Sequence, residues 1–166
     1  MTETATAKTA ITAPIDAAIG SRIIEEGYGP GAWHGADLRA ALADVTARTA
    51  FWRPGAGRHN IAEIALHHAA CVRSVIGQLT GTEEAAFPLE GSDWFETSDE
   101  KGMAWPSVLD VVDAQQVRLG SVVSDIGSGA QTSPLSDAER FDLLLGVTCH
   151  AVYHAGQIQL IKVLEA

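Results

Sequence analysis

The sequence predicts an all-α fold, a four-helix bundle with short extra helices between the first and second main helices. Apolar residues recur at steps of three and four along four stretches, and glycine and proline breaks separate these stretches. No alternation of strand and helix patterns appears. With 166 residues, 46% of them hydrophobic, the chain can form one domain with a substantial core. We expect residues 1–13 to be a disordered or frayed tail and residues 14–166 to be a single domain.

The ends of the first helices are predicted from proline, glycine and aspartate positions. Pro14 is predicted to open the first main helix, because proline favours the first helical position, and Gly27 is predicted to end it. A short helix is expected from Asp37 to about Asp44. The glycine- and proline-rich run 53–57 then breaks the chain.

The second main helix has a strong start signal. Asn60 and Glu63 have the spacing of a capping box, which predicts a helix over residues 61–79, and Gly81 is expected to stop it. Residues 81–106 form a long, irregular and acidic connection. Connections of this length inside a compact domain often act as lids or binding loops.

The last two main helices are predicted from similar signals. Ser107 is expected to cap the third main helix, and Gly127 is expected to end it. Ser136 and Glu139 form a second predicted capping box, which begins a long helix that continues to Ala166.

The charge balance excludes two classes of partner. The chain has 11 basic and 21 acidic residues and a formal net charge of −10. Binding to nucleic acid requires clustered lysine and arginine, and no basic stripe is present. A polybasic attachment to membranes is excluded for the same reason, and no apolar run is long enough to span a bilayer.

The two cysteines, Cys71 and Cys149, do not form a Cys-x-x-Cys motif or a disulfide framework. Both lie in apolar helical stretches, and we expect Cys149 to pack in the core. The threonine- and alanine-rich stretch over residues 1–13 has no apolar segment typical of a signal peptide. These features predict a reduced, cytoplasmic setting.

An unusual stripe on the last helix points to the candidate site. Two histidines and a glutamine take places where bundle helices normally carry leucine, and burying them requires a partner for each polar atom. Two imidazoles four residues apart lie on one helical turn and can chelate a divalent metal. The alternative is a pair of core histidines bonded to the backbone or to each other. The stripe comprises Leu143, Val147, His150, His154, Gln157, Ile161 and Leu164.

A third metal ligand is expected from the second main helix. His67 and His68 both lie near its broad apolar face, and periodicity does not decide which of the two points inward. A site with three histidines and open positions is typical of catalytic rather than structural metal centres. Cys71, one turn beyond His67, could be a fourth ligand or simply pack in the core.

Other residues are candidates for supporting roles. Gln157 is one turn past His154 and could orient a ligand, bind substrate or be a buried amide bonded to the backbone. Tyr153 could close a hydrogen-bond network or simply pack against a neighbour. His34, in a loop between Trp33 and Gly35, could reach the mouth of the site or be a surface histidine beside a packed tryptophan. We expect the side chains around the entrance to be Trp33, His34, Trp94 and Trp105.

The segment from His150 to His154 is not a zinc-peptidase motif. Ala151 stands where the glutamate base of His-Glu-x-x-His would be. Any chemistry would therefore depend on the metal itself, which can activate a bound water or deprotonate a coordinating thiol.

Three segments together resemble the DinB-like (DinB/YfiT) superfamily of metal-dependent four-helix proteins. The third segment is the most specific of the three. The segments are Gly29-Pro30-Gly31-Ala32-Trp33-His34-Gly35, Arg58-His59-Asn60-Ile61-Ala62-Glu63-Ile64-Ala65-Leu66-His67 and His150-Ala151-Val152-Tyr153-His154-Ala155-Gly156-Gln157-Ile158.

The resemblance implies a divalent metal, zinc or nickel, held by His67, His150 and His154. It implies a small-molecule substrate, because relatives include thiol-dependent S-transferases and a mycothiol-dependent maleylpyruvate isomerase, and it implies a homodimer. A metal-dependent transferase using a low-molecular-weight thiol, or a hydrolase, is therefore the first functional hypothesis. The alternative is a non-catalytic metal-binding or stress-associated dimeric helical protein. Similar proteins commonly carry apolar or aromatic residues where this chain has His68 and Cys71.

Overall fold

The computed structural model describes residues 14–84, 86–91, 93–98 and 102–165, and the fold of this part of the chain is entirely helical. The predicted 1–13 tail lies outside the described residues. The all-α bundle with short helices between the first two long ones is confirmed. The helices are α1 (Ala17–Tyr28), α2 (Leu38–Leu42), α3 (Ala47–Phe51), α4 (Ile61–Thr80), α5 (Trp105–Gly127) and α6 (Asp137–Glu165). In these residues, no helix has the length and apolar character needed to cross a membrane.

The four long helices pack as a ring in which α1 and α4 each contact both α5 and α6. The short helices cover one part of this bundle, with α2 against α6 and α3 against α4. Leu38 and Leu42 of α2 and Ala50 of α3 are buried in the same apolar cluster as Ala151 and Ala155 of α6. A second apolar cluster, formed by α4, α5 and the first half of α6, fills the rest of the bundle.

Two of the predicted helix starts are confirmed in atomic detail. The Asn60 side chain accepts a hydrogen bond from the Glu63 N–H at 2.8 Å, and the Glu63 carboxylate accepts one from the Asn60 N–H at 3.4 Å. Ser136 and Glu139 make the equivalent pair of bonds at the start of α6. Gly81 ends α4 in the left-handed conformation, where a residue without Cβ is favoured.

The other two predicted starts are wrong. Helix α1 begins at Ala17, not Pro14, because the Asp16 carboxylate accepts a hydrogen bond from the Ile19 N–H and caps the helix there. Helix α5 begins at Trp105, two residues before the predicted Ser107 cap. Proline in the first turn removes an N–H that has no helical partner, so Pro106 is tolerated inside this helix.

The buried face of α6 differs from the predicted stripe. Val147, His154 and Ile161 are buried as expected, but Leu164 is 56% exposed, and Cys149, expected in the core, is exposed. The buried face is instead centred on a row of side chains that includes Leu144, Ala151, Ala155 and Ile158.

The reason for this rotation is the close approach of α1 to small residues of α6. A Cβ atom on Gly27 would lie only 3.0 Å from the Ala151 Cβ and 3.2 Å from the Thr148 Cα. Small residues add little to a hydrophobic pattern, although they let two helices approach closely. As a result, His150 and Gln157 lie at the edge of the buried face, where they can reach solvent.

Candidate metal centre

Three imidazoles from two helices converge in the bundle. The Nε2 atom of His150 lies 3.0 Å from His67 Nε2 and 3.1 Å from His154 Nε2. One nitrogen from each of the three residues lies within 4.8 Å of the other two. Zinc–imidazole bonds of about 2.0–2.1 Å in a tetrahedral site place two ligand nitrogens about 3.3 Å apart. The observed separations are therefore close to those of a metal-ligating set.

The outer nitrogens of two of these rings have oxygen acceptors. His67 Nδ1 lies 2.9 Å from the Asp93 carbonyl oxygen and 3.0 Å from its carboxylate. His154 Nδ1 lies 2.6 Å from Gln157 Oε1. Because an oxygen acceptor requires a proton on Nδ1, the lone pair of each ring is left on Nε2, which faces the centre.

Burial favours the neutral, metal-binding form of two of the candidate ligands, His150 and His154. Burial, with the neighbouring His154 and His67 imidazoles, lowers the pKa of His150 to about 4. Burial also lowers the pKa of His154, although its hydrogen bond with Gln157 acts in the opposite direction. Metal ligation requires unprotonated imidazole, so the lowered pKa values of these two rings favour binding of a divalent cation.

Trp94, in the connection before α5, stacks on two histidine rings. Its ring centroid lies 4.1 Å from that of His67, with 7° between the planes, and 3.7 Å from that of His59, with 9°. His59 Nδ1 in turn lies 3.1 Å from the Glu63 carboxylate. The connection thus covers the candidate ligand from α4, as the hypothesis of a binding loop expects.

A cavity of about 460 Å³ opens beside the imidazoles and includes His154 in its wall. Trp94, Tyr153 and Gln157 line it near the histidine, and Arg58 supplies a positive charge. Among the described residues, none that lines this cavity is acidic. The remaining wall is largely apolar and includes Ile64, Leu160, Ile161 and Leu164.

His68 is also part of this cluster, on the outer side of His150. It is completely buried, and its Nδ1 lies 3.1 Å from His150 Nδ1. Its Nε2 lies 2.7 Å from the side-chain amide nitrogen, Nε2, of Gln116 on α5. Burial lowers the pKa of His68 well below its usual value, so the ring is neutral. Both histidines that periodicity left open therefore contact His150. His67 contacts the inward nitrogen of His150, Nε2, and His68 contacts the outer nitrogen of His150, Nδ1.

The predicted supporting residues on α4 and α6 take different positions. The Tyr153 hydroxyl accepts a hydrogen bond from Gln157 Nε2 at 3.1 Å, which is the first of its two predicted arrangements. Cys71 is half-buried and does not belong to the converging set found among the described residues. Burial, with the nearby Asp93 carboxylate, raises the pKa of the Cys71 thiol.

Of the predicted entrance residues, only Trp94 lines the cavity beside the histidines. His34 is held at the end of α1, where its Nε2 lies 2.7 Å from the Glu26 carbonyl oxygen. The Trp33 side chain is 91% exposed. Trp105 is buried and donates a hydrogen bond from its indole N–H to the Val45 carbonyl oxygen at 2.7 Å. The prediction that Trp105 lies at the entrance is wrong, because its side chain anchors the start of α5 in the core.

Several site residues were not predicted. They are Arg58, His59, Asp93 and Gln116. Gln116 could have been found from the sequence, because a polar residue beside an apolar helical face often has a buried hydrogen-bond partner. The others come from loops, whose position depends on the packing of distant segments.

The fold and the site together define an all-helical bundle in which two long helices bring three imidazoles to one point. The chain belongs to the DinB superfamily, which it matches over residues 32–158, more than half of its length. No curated protein and no solved structure matches the chain. The family and the histidine cluster are compatible with binding of a divalent metal.

Proposed function

We propose that this protein is a metal-dependent enzyme that holds one divalent cation with His67, His150 and His154. The observation that carries the proposal is the convergence of one ring nitrogen from each of the three histidines, all within 4.8 Å of one another. Imidazole ligands suit zinc and nickel, and zinc is the first choice because three histidines with an open position are common in catalytic zinc sites. When bound, the metal would lower the pKa of a coordinated water or thiol and so supply a nucleophile.

The residues around the candidate ligands support a small organic substrate. The cavity beside His154 is of the size of small-ligand sites, about 300–1,000 Å³, and its apolar wall excludes water from part of a bound molecule. The Arg58 guanidinium has no ion-pair partner among the described residues and can pair with an anion. We propose an apolar molecule bearing a carboxylate as substrate and a low-molecular-weight thiol as the second reactant.

The outer face of α6 supports the proposal of a homodimer. Tyr153, Leu160, Val163 and Leu164 are between 56% and 74% exposed, and three of them also line the mouth of the cavity. Contiguous exposed apolar side chains often mark interaction sites. Sedimentation analysis should find a dimer, and Leu160→Lys should shift it to monomer, whereas a monomeric wild-type protein would contradict the proposal.

Elemental analysis of protein purified without a histidine tag tests the metal site. We expect about one divalent metal per chain, as in an open catalytic site. His154→Ala should lose the metal while keeping a helical circular dichroism spectrum. Cys71→Ser and His34→Ala are matched controls that should keep the wild-type stoichiometry. Metal-free wild-type protein, or full metal content in His154→Ala, would contradict the assignment.

Activity is tested separately with a panel of low-molecular-weight thiols and electrophilic carboxylates. The metal-loaded protein should form the thioether or isomerised product, and the metal-free protein should not. A metal-loaded protein with no activity across the panel would favour the non-catalytic alternative.

A further inference from the structure

The three candidate ligands differ in what stands behind them. The Nδ1 atoms of His67 and His154 face oxygen atoms of Asp93 and Gln157, which can only accept a hydrogen bond. His150 Nδ1 instead faces another imidazole nitrogen, His68 Nδ1, at 3.1 Å. A neutral imidazole nitrogen either donates or accepts. Whether His150 can bind metal through Nε2 therefore depends on which of the two rings, His150 or His68, donates this hydrogen bond.

Gln116 decides the direction of that bond. If its amide N–H donates to His68 Nε2, then His68 Nδ1–H donates to His150, and the proton of His150 is left on the inward Nε2. If instead the amide oxygen accepts from His68 Nε2–H, His150 Nδ1–H donates to His68, and the inward Nε2 keeps its lone pair. The amide nitrogen and oxygen exchange places by a 180° rotation of the side-chain amide.

We propose that His68 and Gln116 are positioning residues that hold His150 in its metal-binding tautomer. In this arrangement, His150 Nδ1–H donates to His68 Nδ1, and His68 Nε2–H donates to Gln116 Oε1. All three converging rings then carry Nδ1–H and present Nε2 lone pairs to one point. This inference rests on the proposed metal site, and it assigns to the buried His68 a role that the three ligands alone do not require.

Burial restricts the alternatives. His68 is 0% exposed, so its two nitrogens have no solvent, and their hydrogen-bond partners are His150 and Gln116. Gln116 is only half-buried and lines a separate cavity of about 440 Å³ between α1 and α5. The amide group that does not face His68 therefore has access to solvent, and either orientation can be satisfied. In the structure the amide nitrogen of Gln116 faces His68. The requirement for a lone pair on His150 Nε2 selects the orientation rotated by 180°, with the amide oxygen toward His68.

Two pairs of variants test the proposal through zinc affinity, measured by competition with a chromophoric chelator. His68→Phe keeps a ring but removes the acceptor, and it should weaken zinc binding about 10–100-fold, as loss of ligand-orienting partners does. His68→Asn places an oxygen acceptor near the Nδ1 position and should restore most of the affinity. Gln116→Glu, whose ionised carboxylate can only accept, should bind zinc like the wild type. Gln116→Lys, which can only donate, should bind zinc more weakly.

Nitrogen NMR of histidine side chains in metal-free protein gives an independent measurement. His150 should be the Nδ1–H tautomer in the wild type and shift toward Nε2–H in His68→Phe. If His68→Phe does not fold, the two Gln116 variants provide the same comparison. Equal zinc affinity in Gln116→Glu and Gln116→Lys, or an Nε2–H tautomer in the wild type, would overturn the proposal. A wild-type protein that binds no zinc would instead count against the metal site, while the tautomer measurement would still decide the hydrogen-bond direction.

Discussion

The indole ring of Trp94 lies parallel to the imidazole ring of His67, with 4.1 Å between the ring centroids. His67 is thereby held from two sides, because its Nδ1 also bonds to Asp93, one residue before the tryptophan. Both contacts come from the connection that precedes α5. The position of this candidate ligand thus depends on a segment outside the four long helices.

Replacing Trp94 should loosen His67 without removing a ligand. Aromatic pairs contribute about 0.5–1.5 kcal/mol beyond their buried area, so Trp94→Ala should weaken zinc binding about 2- to 10-fold. Chelator competition measures this change. Trp33→Ala, at a 91% exposed position, is the matched control and should bind zinc like the wild type. Equal affinities in all three proteins would show that the stacking has no part in holding the ligand.

Arg58 should select anionic molecules in the cavity beside His154. Benzoate and benzamide have the same shape and differ in charge, and Trp94 fluorescence can report their binding because its ring lines the cavity. Benzoate should bind about 5-fold more tightly, which is the effect of a solvent-accessible ion pair of about 1 kcal/mol. Arg58→Gln should abolish this preference. Arg39→Gln, which changes a residue of the separate cavity between α1 and α5, should keep it. A preference for benzamide in the wild type would contradict the proposed substrate class.

Glu63 should make the stability of the protein depend on pH in the acid range. Burial would raise the pKa of this carboxyl, but hydrogen bonds from Arg53, His59 and the Thr97 N–H outweigh it and lower the pKa. The stabilisation is therefore present above the ordinary glutamate pKa of about 4.3 and is lost as the pH falls below it.

Chemical denaturation of the wild type and Glu63→Gln between pH 7 and pH 3 measures this contribution. At pH 7 the variant should be less stable by about 1–3 kcal/mol, because buried hydrogen bonds to a charged group are lost. Below pH 4.5 the free energy of unfolding should fall more steeply in the wild type than in the variant. Parallel curves over the whole range would contradict the lowered pKa.

The contact of Gly27 with α6 should not tolerate a side chain. A Cβ there would lie 3.0 Å from Ala151 Cβ, so Gly27→Ala should destabilise the protein by overpacking, at a cost of about 1–3 kcal/mol. Gly146→Ala is the matched control, because a Cβ at this helical position meets nothing within 4 Å. It should stabilise the protein by about 0.5–1 kcal/mol through higher helix propensity. Thermal unfolding compares the two, and destabilisation by both substitutions would contradict the role given to the close approach.

Local signals in the sequence predicted most of the helix boundaries. The Asn60–Glu63 and Ser136–Glu139 pairs lie within one turn, so their hydrogen bonds form wherever the helix forms, and both are present. Asp16 is a good capping residue, but the start of α1 was predicted at Pro14 instead. The start of α5 was missed for a different reason, because it depends on Trp105 packing against Val45, which is 60 residues away in the chain.

The sequence by itself determined the helical class, the long helices and the placement of His150 and His154 on one helical turn, because these depend on spacing along one helix. Only the tertiary structure decided how the remaining groups meet: the rotation of α6, the stacking of Trp94 on His67, and the burial of His68 between His150 and Gln116. These contacts join α4, α5, α6 and a loop. A periodic pattern predicts that a helix has a buried face. The exact face and the partner of each side chain depend on how closely the helices approach, and small residues such as Gly27 and Ala151 control that approach.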